Sequence, residues 1–338
     1  MEAFTMDDWS QDKEKKVLRK YRFTLTTRVL RVLLVCIAIY SLYIGGVSIV
    51  FDKTRPDRQH IYYSMLALEW QQPNIKSPFP SGSSADISPL LTQKYSYPLI
   101  KQVGKEDVVV GEMHMEKKLW DSFSSMTMDL TPDKPAQKLN FHLPEDPKTG
   151  KATVVYSNDI VWKTLDKLPE GTVAEVAFST TAFMEPVELM RMLASFDVHI
   201  VWMPLYTGEF KSFEPKGYGS GDGSLTVYDR IGLSGGMKVS DDFSTTREAR
   251  YLSTNIQDSQ RWMLENMENL LKNERKSYYE KFLGLSHLQE RYDFLKDNGF
   301  QVYGAVVTGP TKELLKLRDV EGISNEILGE IDFWNWDD

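Results

Sequence analysis

One uninterrupted apolar run constrains this chain more than any other feature of its sequence. The 20 residues from Val32 to Phe51 contain no charged side chain. As an α-helix they would extend about 30 Å, which is the thickness of the hydrocarbon core of a bilayer. A buried helix of a soluble protein seldom keeps this length without a charge. The run therefore predicts one transmembrane helix over residues 32–51.

A cleavable signal peptide is the main alternative for this segment. The apolar part of a signal peptide is usually ~7–15 residues long and is followed by a small-residue cleavage site. Here the apolar run is longer, the basic region before it is long, and no A-x-A motif follows. Cys36 lies in the middle of the run, which is not the position of a lipoprotein cysteine at a cleavage boundary. We therefore interpret the segment as a signal anchor.

The flanking charges predict how this helix is oriented. Basic residues are retained on the cytoplasmic side of a membrane. Eight of them precede the run and three follow it: Lys13, Lys15, Lys16, Arg19, Lys20, Arg22, Arg28 and Arg31 against Lys53, Arg55 and Arg58. We therefore expect a single-pass protein of the cell membrane, with a cytoplasmic tail over residues 1–31 and an extracytoplasmic part from residue 52 onward.

Composition limits what the extracytoplasmic part can do. The net charge of −8 argues against a nucleic-acid-binding surface, so we expect no direct nucleic-acid partner. Cys36 is the only cysteine of the 338-residue chain, which leaves the outer part without a disulfide or a thiolate metal site. The five histidines show neither H-x-x-x-H nor H-E-x-x-H spacing. We expect no metal, no cofactor and no catalytic residue, and hence not an enzyme.

Hydrophobic periodicity divides the extracytoplasmic part into three segments. Residues 52–94 predict a juxtamembrane helix, near residues 60–70, and then a linker rich in proline and serine. Residues 95–160 show the alternation that is typical of strands and predict a β-rich membrane-proximal region. Residues 172–338 predict an α/β domain of sensor type. The expected fold class is a single-span membrane protein with an α+β extracytoplasmic part.

The C-terminal domain contains one pattern twice. The stretches "VAFSTTAFMEPVELMRML…VHIVW" and "GAVVTGPTKELLKL…ILGEIDFW" each predict a strand, a helix begun by proline, and a second strand. Two such βαβ units can share one sheet. We therefore expect a ferredoxin-like domain with a helical insertion between its halves. In the insertion, a helix of about seven turns runs from near Thr254 to Gly284, and Ser286 with Gln289 forms a capping box for the next helix.

Glycine-rich and helix-start motifs offer weak signals for ligand binding. The stretch Gly217 to Gly223 has a G-x-G-x-G pattern, but a strand-like segment follows it where a dinucleotide site requires a helix. "VTGPTK" lies at a strand-to-helix turn, yet it is not a P-loop motif and Pro310 removes one N–H donor. We interpret the first as a loop and the second as an ordinary helix start.

Several stretches of this chain resemble the sigma factor regulator family. In the C-terminal domain they are "VHIVWMPLYTGE" and "GAVVTGPTKELLKLRD", the latter followed by "GEIDFWNW". Near the N-terminus it is the basic segment "KKVLRKYRFTLTTRVLRVLL", which leads into one span. These proteins of Gram-positive bacteria are membrane anti-sigma factors for extracytoplasmic-function sigma factors. The resemblance covers the region around the span and residues 172 to 335. It implies that the cytoplasmic tail holds a sigma factor inactive and that the outer domain takes part in signal reception, as in a cell envelope stress response.

The residues of the tail and of the span can be assigned to three contacts. Apolar and acidic side chains near the N-terminus are candidates for binding the sigma factor: Phe4, Asp7, Asp8 and Trp9. Basic side chains are candidates for contact with anionic membrane lipid, on a short interfacial helix whose apolar side holds Val17, Leu18, Tyr21 and Leu25: Lys15, Lys16, Arg19, Lys20 and Arg22. Small side chains could pack against a second membrane protein: Gly45, Gly46 and Ser48.

Three functions remain compatible with these patterns. The first is the membrane-anchored anti-sigma factor, which requires the tail to bind a sigma factor. The second is an extracytoplasmic binding or assembly module for which the helix is only an anchor. The third is an envelope enzyme whose site the sequence does not reveal.

Overall fold

The computed structural model describes residues 11–78, 85–131, 139–154, 156–219, 223–241, 243, 246–248 and 252–333. Two compact units divide the chain, Met1–Arg55 and Pro56–Asp338. The described part of the first is one helix. The second unit holds a four-stranded and a five-stranded β-sheet, two further strand pairs, and helices packed around them. The expected combination of one apolar N-terminal helix and an α+β part after it is confirmed.

The first unit contains helix α1, Gln11–Thr54. Its 44 residues form one continuous helix, which begins 21 positions before the predicted span starts at Val32. Three threonines in its N-terminal half, Thr24, Thr26 and Thr27, donate their hydroxyl groups to backbone carbonyls four residues earlier. The basic stretch and the apolar run therefore belong to a single element, where the sequence predicted a separate short helix.

Helix α2, Pro56–Gln71, begins the second unit. Every side chain from Ile61 to Trp70 is buried, so the helix presents no solvent face over that length. A helix that is apolar on all sides is stable only when other elements surround it. The predicted linker after it is partly packed as well, since Asn74, Ile75 and Ser77 are buried.

A four-stranded antiparallel sheet follows in the order β1-β2-β3-β4. Its strands are β1 Asp86–Ile87, β2 Gln93–Val103, β3 Glu106–Lys117 and β4 Ser125–Leu130. Gly104 turns β2 into β3 with a φ of 65°, a conformation that glycine adopts without strain. A single 3₁₀ turn, Asp121–Phe123, lies between β3 and β4.

The larger sheet has five strands in the order β13-β5-β12-β6-β9, and all neighbours are antiparallel. Its elements are α3 Asp159–Lys167, β5 Thr172–Met184, α4 Pro186–Leu193, β6 His199–Tyr206, β9 Gly232–Leu233, β12 Gln301–Pro310, α7 Thr311–Leu315 and β13 Ile323–Phe333. The sheet is buried on both faces. Ala174, Val176 and Phe178 of β5 belong to one apolar cluster, and Ala177 belongs to a second.

An insertion connects β6 to β12 and contains hairpins as well as helices. Its remaining elements are β7 Gly217–Gly219, β8 Leu225–Val227, β10 Met237–Val239, β11 Thr246–Glu248, α5 Leu252–Asn273 and α6 Leu288–Asn298. The prediction of one helix ending at Gly284 was wrong. Helix α5 ends at Asn273, and a π-helical turn, Tyr278–Phe282, follows as a separate element.

The predicted capping box before α6 was also wrong. His287 occupies the N-cap position with a φ of 56° and makes no side-chain cap. The Ser286 hydroxyl instead donates to Asp229 Oδ2 at 2.7 Å, on a distant segment. The tertiary contact competes with the local cap for the same hydroxyl group, and the tertiary contact is the one that forms.

Candidate functional site

The predicted sigma-factor contact falls at the N-terminus. Phe4, Asp7, Asp8 and Trp9 lie outside the described residues. The described helix begins two positions after Trp9, at Gln11. Their assignment to partner binding stays a prediction.

The basic part of α1 has two chemically different sides. At 100° per residue, five basic side chains fall within about 160° of the helix circumference, and four apolar side chains fall within about 100° on the other half. All nine are exposed in the structure. The basic set is Lys15, Lys16, Arg19, Lys20 and Arg22; the apolar set is Val17, Leu18, Tyr21 and Leu25. Such a surface can lie along anionic headgroups or bind a partner helix.

The apolar part of α1 is long and apolar enough to cross a membrane, and none of it is buried within the protein. Cys36 is exposed and free. Gly45 and Gly46 have no atom within 4 Å of an added Cβ, so their surface is open. On the helix, Gly45 and Ser48 are about 60° apart, whereas Gly46 lies about 160° from Ser48. A packing surface built on the small residues would thus combine Gly45 with Ser48, and Gly46 would face another direction.

The second unit contains a cleft of about 560 Å³ between the five-stranded sheet and the segment around residues 144–152. Three rings lie along it. Phe183 and Tyr206 have ring centroids 4.6 Å apart, and Tyr206 meets Phe294 edge-on at 5.1 Å. Glu145 and Lys211 add charges of opposite sign. Burial raises the pKa of the Tyr206 hydroxyl group further above neutral pH. The cleft suits a small ligand or a peptide with apolar and polar groups.

A second cleft, of about 550 Å³, is lined by two cationic side chains, Lys101 and Arg230. Lys101 donates to Glu175 Oε2 at 2.7 Å, and Asn74 Nδ2 donates to Glu175 Oε1 at the same distance. Arg230 donates to the carbonyls of Val227 and Leu139. These bonds hold both cations in place as parts of the core.

A polar junction joins the first turns of α2 to distant segments. Gln59 Nε2 donates to Glu274 Oε1 at 2.5 Å, and His60 Nδ1 is hydrogen-bonded with Tyr278 Oη at 2.8 Å. Burial and the neighbouring Asp121 raise the pKa of Glu274 to about 7, against the opposing influence of Lys117 and Arg275. Burial lowers the pKa of His60 to about 3, which keeps its ring neutral. Glu274 is therefore a group that changes charge near neutral pH.

Within the described ranges, no group of three or more His, Cys, Asp or Glu side chains could hold a metal ion. Gly217–Gly219, at the start of the glycine-rich stretch, form β7, which pairs with β8, so the next described element is a strand where a phosphate site requires a helix. The turn before α7 leads into a helix of five residues. Neither motif has the surroundings that a nucleotide site requires.

The cleft and junction residues were not predicted from the sequence. Phe183, Tyr206 and Phe294 come from three elements separated by 23 and 88 positions, and Gln59 and Glu274 are 215 positions apart. No short motif connects residues at such distances. The one local signal was the aromatic content of the strands, which is equally typical of a core.

Two family models match the chain. The sigma factor regulator N-terminal model matches residues 15–108, and the sigma factor regulator C-terminal model matches residues 165–330. The first covers most of α1, with α2 and the first strands. The second covers the five-stranded sheet and its insertion.

A relative supports the same assignment. The probable anti-sigma-M factor YhdL of Bacillus subtilis (strain 168) is 27% identical in an alignment of 267 residues, and the match covers 76% of this chain. The chain spans 64% of the length of that relative. No solved structure matches the chain significantly. The predicted resemblance is confirmed, and the chain belongs to the sigma factor regulator family.

Proposed function

We propose that this protein is a membrane-anchored anti-sigma factor. Its N-terminal segment sequesters an extracytoplasmic-function sigma factor, and its second unit responds to a signal in the cell envelope. The observation that carries this proposal is the match of both family models, in order, to the helix and the second unit. The relative, itself named a probable anti-sigma-M factor, supports it. The action is sequestration, which needs no catalytic residue.

The length of α1 supports different roles for its two halves, one inside the membrane and one outside it. Its 44 residues extend about 66 Å, roughly twice the hydrocarbon thickness of a bilayer. About half of the helix is therefore available outside the membrane. The eight basic residues of the N-terminal half favour a cytoplasmic location for that half by the positive-inside rule. There its basic side can contact lipid, and the sigma factor can bind the segment before it.

The second unit is proposed to lie on the extracytoplasmic side, and its aromatic cleft is the candidate receptor for the signal. In the five-stranded sheet, neighbouring strands come in turn from the two βαβ motifs, in the order β13, β5, β12 and β6. The helices that connect the strands of each motif are α4 and α7. This order supports the proposed ferredoxin-like arrangement. A second membrane protein could receive or transmit the signal through Gly45 and Ser48.

Affinity purification of the full chain from the source cells tests the function. A C-terminal tag captures the wild type, a tail variant with Phe4, Asp7, Asp8 and Trp9 changed to Ala, and a variant with the five basic residues changed to Gln. An Ile160→Ala variant is the matched control, because Ile160 is 74% exposed in the second unit. We expect the wild type and the control to retain one identified sigma factor and the tail variant to lose it.

The outcomes separate the candidate functions. Loss of the sigma factor only in the basic variant would move the contact to the N-terminal half of α1. Absence of any sigma factor from all samples would contradict the proposal. The two clefts would then favour the alternative, an extracytoplasmic binding module anchored by α1.

A further inference from the structure

Four large apolar side chains are exposed at one end of the four-stranded sheet. They are Leu90 at 81%, Leu119 at 59%, Trp120 at 68% and Phe123 at 68% exposure. We call this set the apolar rim. Surface hydrophobic residues are common singly, but a group that includes a tryptophan and a phenylalanine marks a contact surface.

Strand register places the two loops of the apolar rim side by side. Ile87 of β1 pairs with Gln93 of β2, and Gln93 pairs with Lys117 of β3. Glu116 then pairs with Ser125 of β4. The turn between β1 and β2 and the connection between β3 and β4 therefore lie at the same end of the sheet.

The backbone of both loops is held by hydrogen bonds, so the exposed side chains are displayed from fixed positions. Ser88 N donates to Thr92 O at 2.8 Å in the first loop. In the second, Phe123 N donates to Trp120 O at 3.1 Å, and Lys118 N donates to Ser124 Oγ at 2.9 Å. The exposed side chains therefore project from loops whose backbones make hydrogen bonds within each loop.

The apolar rim lies at the end of the second unit where the chain enters it. Asp121, within the second loop, accepts hydrogen bonds from Lys117 at 2.9 Å and from Ser277 at 2.6 Å. Lys117 Nζ lies 5.8 Å from the ring centre of Tyr278, which is hydrogen-bonded with His60 in the second turn of α2. Pro56, the first residue of α2, comes five positions after Phe51, the last residue of the apolar run. The covalent chain thus keeps this end of the second unit close to the bilayer.

The chemistry of the rim matches a membrane interface. Tryptophan is enriched at the headgroup level of bilayers, and leucine and phenylalanine bury readily in the adjoining acyl region. Two exposed lysines, Lys94 and Lys118, flank the rim and share one carboxylate, Glu116, at 3.9 and 3.2 Å. Asp86 of β1 lies opposite Lys94, so these four charges balance, and the long lysine side chains can reach phosphate groups while apolar side chains beside them are buried.

We propose that the apolar rim inserts into the interface of the extracytoplasmic leaflet and forms a second membrane contact beside α1. This inference rests on the proposed membrane anchoring. Two points of attachment restrict the tilt of the second unit relative to the bilayer. A single span with a short connection would leave that tilt free.

Depth-dependent quenching in proteoliposomes tests the proposal on the full chain. In a Cys36→Ser background, Trp120→Cys and Phe123→Cys are each labelled with an environment-sensitive NBD dye. Ile160→Cys is the matched control, since Ile160 is equally exposed on α3, which packs against α7 and β13. We expect phospholipids with a nitroxide near the headgroup to remove most of the emission at positions 120 and 123 and little at position 160.

Each outcome decides a separate question. A chain that does not float with the vesicles would contradict the membrane anchoring itself. A chain that floats but shows equal, weak quenching at positions 120, 123 and 160 would overturn the apolar rim as a lipid contact. The emission at position 120 could instead shift to the blue, increasingly so at higher protein-to-lipid ratio, without nitroxide quenching. That result would assign the rim to contact with a second copy of the chain and would also overturn the proposed lipid contact.

Discussion

Helices α1 and α2 are consecutive and both are rich in apolar residues, yet their surroundings are opposite. The apolar stretch of α1 has no buried residue, whereas the side chains of α2 from Ile61 to Trp70 are all buried. Apolar surface must leave water in either case. For α2 the rest of the second unit provides the apolar surroundings, whereas the apolar run of α1 is unburied and is long enough to cross a bilayer. The comparison shows that apolar content alone does not distinguish a buried helix from a candidate membrane span, and that α1 differs from α2 in the length of its uncharged run and in its lack of burial.

The largest effect is expected where the second unit buries a charge. Arg291 is 1% exposed and binds Glu209, which is fully buried, at 2.5 Å. The change Arg291→Met leaves that carboxylate without its cation, which costs ~3–5 kcal/mol of unfolding free energy. Chemical denaturation of the full chain in detergent measures the loss.

Arg261→Met is the control for this change. Arg261 is 59% exposed and pairs with Asp258 and Glu265 on the surface of α5. Surface pairs contribute ~0–1 kcal/mol, so this variant should unfold close to the wild type. Equal destabilisation by the two substitutions would show that the buried pair is not what stabilises the second unit.

A matched pair of leucines tests the comparison of the helices directly. Leu66 of α2 is 1% exposed and Leu34 of α1 is 57% exposed. Leu66→Ala removes packed core atoms and should lower the unfolding free energy of the second unit by ~2–5 kcal/mol. Leu34→Ala should leave that unfolding transition unchanged. A comparable loss for Leu34→Ala would mean that α1 packs against protein.

A charged residue in α1 should weaken membrane insertion and leave the stability of the second unit unchanged, which is the reverse of the effect expected for Leu66→Ala. Leu42 is 77% exposed near the middle of the apolar run. Leu42→Lys should disfavour membrane insertion by ~2.5–3.5 kcal/mol, while the unfolding midpoint of the second unit stays the same. Alkaline extraction of membranes measures the first effect, with Leu42→Ile as the control. Full retention of the lysine variant in the membrane fraction would contradict the assigned span.

The smallest expected effect is a dependence on pH at the polar junction. The pKa of Glu274 is about 7 in the folded chain, against an ordinary value of 4.5 for a glutamate side chain. The folded state therefore holds this proton more tightly, and the associated stability is present below pH 4.5 and is lost as the pH rises to about 7. Glu274 is surrounded by Gln59 of α2, Lys117 and Asp121 of the small sheet, and Arg275, Tyr63 and Tyr278.

Glu274→Gln should flatten the fall in unfolding free energy between about pH 5 and 7, because the neutral amide can still accept from Gln59. Glu268→Gln is the control, since Glu268 is exposed on α5 and its hydrogen bond with Lys272 lowers its pKa. Denaturation midpoints at several pH values provide the measurement. Parallel curves for wild type and Glu274→Gln would exclude this carboxyl group as the source of the dependence.

Local patterns predicted the elements that depend on local chemistry. The apolar run of α1, the strand β5 and the proline-started helix α4 all appear where the sequence indicates them. Predictions failed where a distant residue competes. Ser286 binds Asp229 and so does not cap α6, and the long helix after Thr254 is interrupted before the buried Tyr278. A single sequence contains no record of which distant groups will meet.

The sequence by itself determined that one segment can cross a bilayer, that basic charge precedes it, and that an α+β body follows. Those features depend on the length, the charge and the periodicity of neighbouring residues. Only the tertiary structure decided that the basic stretch and the apolar run form one helix without a break. It alone brought Phe183, Tyr206 and Phe294 to one cleft, and the loops that contain Leu90 and Trp120 to the same end of the small sheet. Strand register and the packing of distant elements set those neighbourhoods, because side chains far apart in the chain share a surface only after the core has formed.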